Sequence, residues 1–278
     1  MTVTKPRRRW GLTVVGVVLA LIFLIPFIVM VLGSLKTQAE ILRIPPTYLP
    51  ESWHPENYAD MWSTPETPLP FNMVSTIVIS LAATVLVLLV AIPAAYYTAR
   101  KRFPGRMAFL LLVLITQMLQ PTVLATGLIR EFLSLGINDT WLAMILVNAA
   151  FNLSFATWIL HSFFASVPVE IEEAAQLDGL SRWQTLRKIS LPLVWPGVIT
   201  ATIFTVVACW NEFAASLVIL TTDKNQPLSV ALTKFVGQYD TAWHFVFGIS
   251  TVSIVPVVIL FAIIERRLVR GLTAGSVK

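Results

Sequence analysis

The sequence predicts an all-α membrane protein with six transmembrane helices and both termini in the cytoplasm. Three observations carry this prediction. Of 278 residues, 56% are hydrophobic and only 13% are charged. A soluble domain carries about 25% charged residues, and a mean hydropathy of +0.76 makes lipid the main solvent. Second, six segments reach the roughly 20 apolar residues that a helix needs to cross about 30 Å of hydrocarbon. Third, Lys and Arg are distributed unevenly among the segments that join them.

The spans are expected at roughly 11–33, 72–98, 107–128, 141–165, 196–221 and 244–264. The first begins after Lys5, Pro6, Arg7, Arg8 and Arg9, as a secretory signal would. Its apolar core is too long for one, and no small-residue cleavage site follows, so it reads as a retained helix. The stretch 34–71 holds seven prolines together with Trp53 and Trp62. Prolines oppose regular helix, and tryptophans suit a membrane boundary or a docking surface. This gives an N-terminal helix with its Pro-rich loop (1–71), a core (72–265) containing a cytoplasmic loop (167–195), and a C-terminal tail (266–278).

The third and fourth spans carry polar side chains. Gln117 and Gln120 are three residues apart, and Asn148 and Asn152 are four apart, so each pair shares a helix face. Neutral amides both donate and accept, which suits sugar hydroxyls. They also hold membrane helices together, and the sequence leaves both readings open. His161 reads as structural. Pro121 and Pro256 are expected to kink their helices. Pro93-Ala94-Ala95 and Ala149-Ala150 permit close helix contacts.

The fifth span contains Glu212, the only acidic residue well inside a span. Such a group lines a polar path or makes a structural hydrogen bond, and both remain open. The fragment 228–236 is too short to span and is expected to form a short helix on the outer surface. The single cysteine, Cys209, rules out an internal disulfide and any multi-cysteine metal site.

With six spans, fifteen of the twenty Lys and Arg fall on the side that holds both termini and the loop at 166–195. The positive-inside rule makes that side cytoplasmic. A pI near 9.6 therefore reflects topology and not a nucleic-acid partner, since the basic residues are dispersed beside apolar segments.

The cytoplasmic loop is the most informative segment. Residues 173–192 read EAAQLDGLSRWQTLRKISLP. Pro168 suits a helix start, and Glu170, Glu172 and Glu173 follow where the helix dipole favours negative charge. Ala174 and Ala175 form helix with little bulk, so another surface can come close. Gly179 ends the helix. Ser181 and Gln184 resemble a capping box for a second helix, whose last turn holds Arg187 and Lys188. Pro192 and Pro196 stop it. The expected structure is two short helices around a tight turn, lying along the membrane.

Glu173, Ala174, Ala175, Gly179, Ile189, Leu191 and Pro192 resemble the signature loop of the permease subunits of binding-protein-dependent ABC importers. The resemblance implies a type I importer permease fold. It also implies that the loop, including Asp178, enters a groove on an ATPase subunit, with Glu173 making the polar contact. The implied partners are a second homologous permease, two ATPase subunits that bind ATP and Mg, and an extracytoplasmic solute-binding protein. This chain would hold no cofactor or metal and no catalytic residue. It contains no Gly-Lys pair, so no G-x-x-x-x-G-K-[ST] phosphate loop. Trp210-Asn211-Glu212-Phe213 and the C-terminal Arg270–Lys278 segment resemble sugar-importer permeases of the maltose type, which would put Asn211 and Glu212 beside a carbohydrate path. The rival classes are a secondary transporter, which needs buried ion-coupling carboxylates, and a membrane scaffold.

Overall fold

The structure, a computed structural model, describes residues 10–64, 67–116, 121–237 and 240–273. Its elements are α1 (Trp10–Ser34), α2 (Gln38–Ile41), α3 (Glu56–Ser63), α4 (Leu69–Arg100), α5 (Arg106–Thr116), α6 (Pro121–Ser134) and α7 (Trp141–Ser166). There follow α8 (Val169–Leu177), α9 (Arg182–Thr185), a π turn (Leu186–Ser190), α10 (Leu191–Leu193), α11 (Trp195–Trp210), α12 (Ala214–Ile219), α13 (Leu228–Ala231), a 3-10 turn (Leu232–Phe235) and α14 (Trp243–Thr273). Among the described residues the only β feature is an isolated bridge between Val236 and Thr241. Helix dominates because lipid offers no partner to an unpaired backbone group.

Four helices among the described residues, α1, α4, α7 and α14, are long and apolar enough to cross a membrane. The expectation of six unbroken spans is corrected for the fifth. The third expected span runs through 117–120, which lie outside the described residues, with α5 before them and α6 after. The kink expected at Pro121 therefore falls at the edge of the described residues. The fifth is interrupted at 211–213 between α11 and α12. Pro256 does lie inside α14, as Pro26 lies inside α1.

The chain forms two compact units. The larger comprises residues from Pro65 to Lys234 and from Val255 onward. Its centre is α4 packed along α7. The contact is lined by Ala83, Ala91, Ala95, Ala143 and Ala156, each fully buried. Small residues let two membrane helices approach closely, where dispersion replaces the missing hydrophobic drive. Near one end Thr98 Oγ1 meets His161 Nδ1 at 3.0 Å, the structural role expected of this histidine. Hydroxyls within the helices turn back onto their own backbone: Thr84 Oγ1 donates to the Ser80 carbonyl at 2.7 Å, and Thr157 Oγ1 to Leu153 at 2.7 Å. This satisfies the polar group without a partner helix. Helix α11 joins the pair through Gly197, where an added Cβ would sit 2.4 Å from Phe163 Cγ.

A second cluster gathers Ile79, Phe132, Met144, Ile219 and Leu220 from α4, α6, α7 and α12. Around it the connecting loops are tied by side chains. Asn72 Nδ2 donates to the Asp223 and Gln226 carbonyls at 2.6 and 2.7 Å. Asp139, at φ 58°, accepts the Thr221 and Thr222 amides at 2.8 and 3.0 Å. The fragment at 228–236 is helical, but Leu228, Val230 and Ala231 are buried. Thr233, Lys234 and Val236 are exposed, so one face of the fragment packs inward and the other stays on the surface. The Leu228 amide donates to Thr76 Oγ1 at 2.8 Å.

The smaller unit comprises the residues through Thr64 together with Phe235–Ile254. Here α1 ends beneath Asn57, whose Nδ2 donates to the Ser34 and Lys36 carbonyls at 2.9 Å each. A buried polar knot follows. Lys36 Nζ donates to Thr47 Oγ1 at 2.8 Å, and Thr47 Oγ1 donates to Glu40 Oε1 at 2.7 Å. Hydrogen bonding from Thr47 holds the Glu40 carboxyl below its usual range. Gly33 leaves room for the Phe247 ring, since a Cβ there would lie 2.5 Å from Phe247 Cδ2.

Candidate functional site: the cytoplasmic hairpin

Helix α8 begins after Pro168, with Glu170 and Glu172 in its first turn. It ends in a Schellman motif. Gly179 takes φ +89°, its amide donates to the Gln176 carbonyl at 3.0 Å, and the Leu180 amide donates to Ala175 at 3.1 Å. The left-handed conformation is one that glycine adopts without a Cβ penalty. The next helix is capped reciprocally: Ser181 Oγ accepts the Gln184 amide at 3.3 Å, and Gln184 Oε1 accepts the Ser181 amide at 2.8 Å. The two short helices and tight turn expected from the loop are thus formed.

The second arm does not stop at Pro192. It continues through the π turn and α10, and the chain bends by 78° between Arg182–Leu193 and α11. The Leu191 amide donates to the Leu186 carbonyl, one residue further back than in an α-helix. The wider turn accommodates Pro192, whose ring would crowd the carbonyl four residues before it. The break falls at Val194, before Pro196.

The hairpin has two faces. Glu173, Ala174, Asp178, Gly179 and Pro192 are exposed, Ile189 and Leu191 are half-buried, and Ala175 is buried. Expectation is corrected here: Ala175 packs against its own chain and only Ala174 offers a close-approach surface. The exposed face also carries Leu177 and Trp183, which are 89% and 65% exposed. Large apolar side chains bared on a loop that the charge distribution puts in water mark an interaction surface.

The buried face centres on Glu172, which is 3% exposed. Its Oε1 lies 2.9 Å from Arg100 Nε and 2.6 Å from Ser190 Oγ, both donating, and its Oε2 accepts Tyr96 Oη at 2.9 Å. Arg100 Nη2 is 2.8 Å from the same carboxylate, by proximity and not by an aligned N–H. Arg100 Nη1 donates to the Val167 carbonyl at 3.0 Å. One carboxylate therefore joins α4, α8 and the π turn. Beside it opens a cleft of about 310 Å³ lined by Tyr97, Lys101, Gln176 and Arg182 among others. Sequence reasoning missed this network, because nothing local links positions 72 residues apart. The nearest signal was the run of three acidic residues at 170, 172 and 173, only one of which needed to face inward.

The other polar candidates are scattered. Asn148 is buried, and its Nδ2 has no hydrogen-bond partner among the described residues. Asn152 Nδ2 donates to the Asn148 carbonyl at 2.8 Å and reaches Cys209 Sγ at 3.6 Å. Asn211 is exposed and bonds back to Val207. Glu212 caps α12: it accepts the Ala215 and Ser216 amides at 2.7 and 2.9 Å and Ser216 Oγ at 2.6 Å. Gln117 and Gln120 lie outside the described residues. A separate groove of about 600 Å³ runs between α5, α6 and α7 and is lined by Thr116, Gly127, Glu131, Phe151 and Ser154. It uses the face of α7 away from both asparagines.

Comparison with known proteins is consistent across sequence and fold. Residues 88–273 match the family described as "Binding-protein-dependent transport system inner membrane component". The inner membrane ABC transporter permease protein YcjP of Escherichia coli K12 is 34% identical over 93% of this chain and 92% of its own length. The trehalose/maltose transport system permease protein MalG of Thermococcus litoralis is 31% identical over 98% and 97% of the two chains. In fold, a chain of a bacterial ABC transporter that imports the acidic polysaccharide alginate superposes with a TM-score of 0.75 at 23% identity, covering 95% of this chain and 99% of that one. Multi-pass helical architecture, the family match over residues 88–273 and near full-length relatives together show that the chain belongs to the family of binding-protein-dependent transport system inner membrane components, the permeases of ABC transporters.

Proposed function

We propose that the chain is one permease subunit of an ATP-driven importer that moves a carbohydrate, a di- or oligosaccharide or a polyol, by alternating access. The observation that carries the coupling reading is the bared edge of the hairpin. Leu177 and Trp183 are exposed beside Glu173, Ala174 and Asp178, an apolar anchor pair within a polar rim of the kind protein interfaces use. The partner for this edge is an ATPase subunit. Glu173 makes its polar contact, Ala174 admits close approach, and Ile189, Leu191 and Pro192 hold the returning arm. The complex contains two ATPase subunits that bind ATP and Mg, a second homologous permease and an extracytoplasmic binding protein. With no phosphate loop in its sequence, this chain draws its ATP chemistry from those partners.

The carbohydrate reading is supported by relatives named for trehalose/maltose, diacetylchitobiose and sulfoquinovosyl glycerol transport. Residues 72–265 form the transporting core. Along its path Asn148 has a buried amide donor available to a solute hydroxyl, with Asn152 one turn on. Gln117, Gln120, Asn211 and Glu212 are the further polar contacts. The test is uptake of labelled disaccharide into proteoliposomes holding the chain with its partner subunits and binding protein. Uptake is expected only with ATP present, and equal uptake without ATP would refute the proposal.

A further inference from the structure

We infer that Glu172 is a positioning residue that clamps the cytoplasmic hairpin to the end of α4, so that hairpin motion passes into α4 and α7 rather than along the chain into α11. The inference rests on the coupling reading above. Glu172 is buried and held from three directions, by Tyr96 and Arg100 of α4 and by Ser190 of the π turn. Arg100 extends the clamp to the Val167 carbonyl at the junction of α7 and α8. Both arms of the hairpin are thereby fixed to one helix end by a largely buried pair.

The covalent route is softer. Between hairpin and α11 lie the π turn and the 78° bend at Val194. The route through α4 is stiff. It continues into the Ala-lined contact with α7 that forms the centre of the unit, and packed interiors transmit displacement with little compression. A buried charge pair also suits a clamp, since loss of one partner leaves the other charge uncompensated. The exposed Glu173 and the buried Glu172 therefore divide the work. The first faces the ATPase subunit, and the second delivers its motion.

The test uses the assembled transporter in proteoliposomes, comparing wild type with Glu172→Gln. ATP hydrolysis is expected to persist while solute moved per ATP falls by roughly tenfold, within the usual range of coupling between sites. If Glu172 serves only the fold, less complex assembles but the ratio stays at the wild-type value, which overturns the clamp. A second arm places Arg100→Cys and Glu172→Cys on a Cys209→Ser background. Bridging the two thiols with a short bifunctional reagent is expected to restore the ratio, and a ratio equal before and after bridging overturns the inference. Wild-type transport without ATP would instead sink the coupling reading, so the two failures are distinguishable.

Discussion

The Leu180 amide reaches back across Gly179 to the Ala175 carbonyl at 3.1 Å, and this bond depends on the left-handed φ of +89° at Gly179. Nothing lies within 4 Å of the position a Cβ would take. Substitution there is therefore limited by backbone strain and not by space inside this chain. Gly179→Asn, which tolerates the left-handed region, is expected to keep coupled uptake. Gly179→Val should cost about 1–2 kcal/mol locally and lower uptake per ATP. A bulkier Gly179→Trp adds a side chain on the face assigned to the ATPase subunit, and should uncouple further. Uptake and ATPase rates measured side by side check the order Asn, Val, Trp.

Glu212 yields a second expectation. Its carboxylate receives three hydrogen bonds at the start of α12, and a lost N-cap costs about 1 kcal/mol. Glu212→Ala should lower the thermal midpoint of the detergent-solubilised protein together with uptake. Glu212→Gln keeps one acceptor oxygen and should fall between wild type and Ala in both. If Gln abolished uptake while keeping the wild-type midpoint, the carboxylate charge would be acting on the path rather than on the helix.

Much of this architecture was legible in the sequence because lipid imposes strong local rules. Length and hydropathy located the long helices α1, α4, α7 and α14 without reference to distant contacts. The hairpin was equally legible: Gly179, Ser181 and Gln184 act over three or four residues, and each made the bond its type suggests. The misses share a cause. Glu172 meets Arg100, and Asp139 meets Thr222, only after helices distant in sequence are brought together. Hydropathy also counted residues 196–221 as one apolar run. It gave no weight to Asn211 and Glu212, whose side chains serve the local backbone and end one helix before capping the next. Ala175 shows the same limit, since its composition suited an open face and its position in the turn buried it.

Asp139 supplies a pH dependence. Partial burial raises its carboxyl, but hydrogen bonds from the Thr222 hydroxyl and the Thr222 and Thr221 amides outweigh this and hold it below the usual aspartate range. A carboxyl depressed in the folded state binds protons less readily than in the unfolded chain. Its contribution is complete above the ordinary value of about 3.9 and is lost as pH falls through the lower folded value. The midpoint should gain nothing from Asp139 between pH 7 and 5 and should lose its contribution below about pH 4. Asp139→Asn should lower the midpoint at neutral pH and flatten this part of the acid response. A thermal-shift series against pH for both proteins is the check, and parallel curves would count against the assignment.

Gly197 brings α11 close against Phe163 of α7, with space for no Cβ on Gly197. Gly197→Ala must push the ring or part the helices, and overpacking of this kind costs about 1–3 kcal/mol. The displaced atom is ring carbon near the Phe163 backbone, so a rotamer change alone offers little relief. Phe163→Leu removes part of that ring and leaves a cavity, which is also destabilising on its own. Together the two changes exchange one methyl for ring volume at a single contact. The double variant should therefore be more stable than the sum of the singles predicts, because residues in contact do not add. A double-mutant cycle on thermal midpoints tests this. Strict additivity would mean that the helices separate rather than repack, and it would place the fit between α7 and α11 elsewhere.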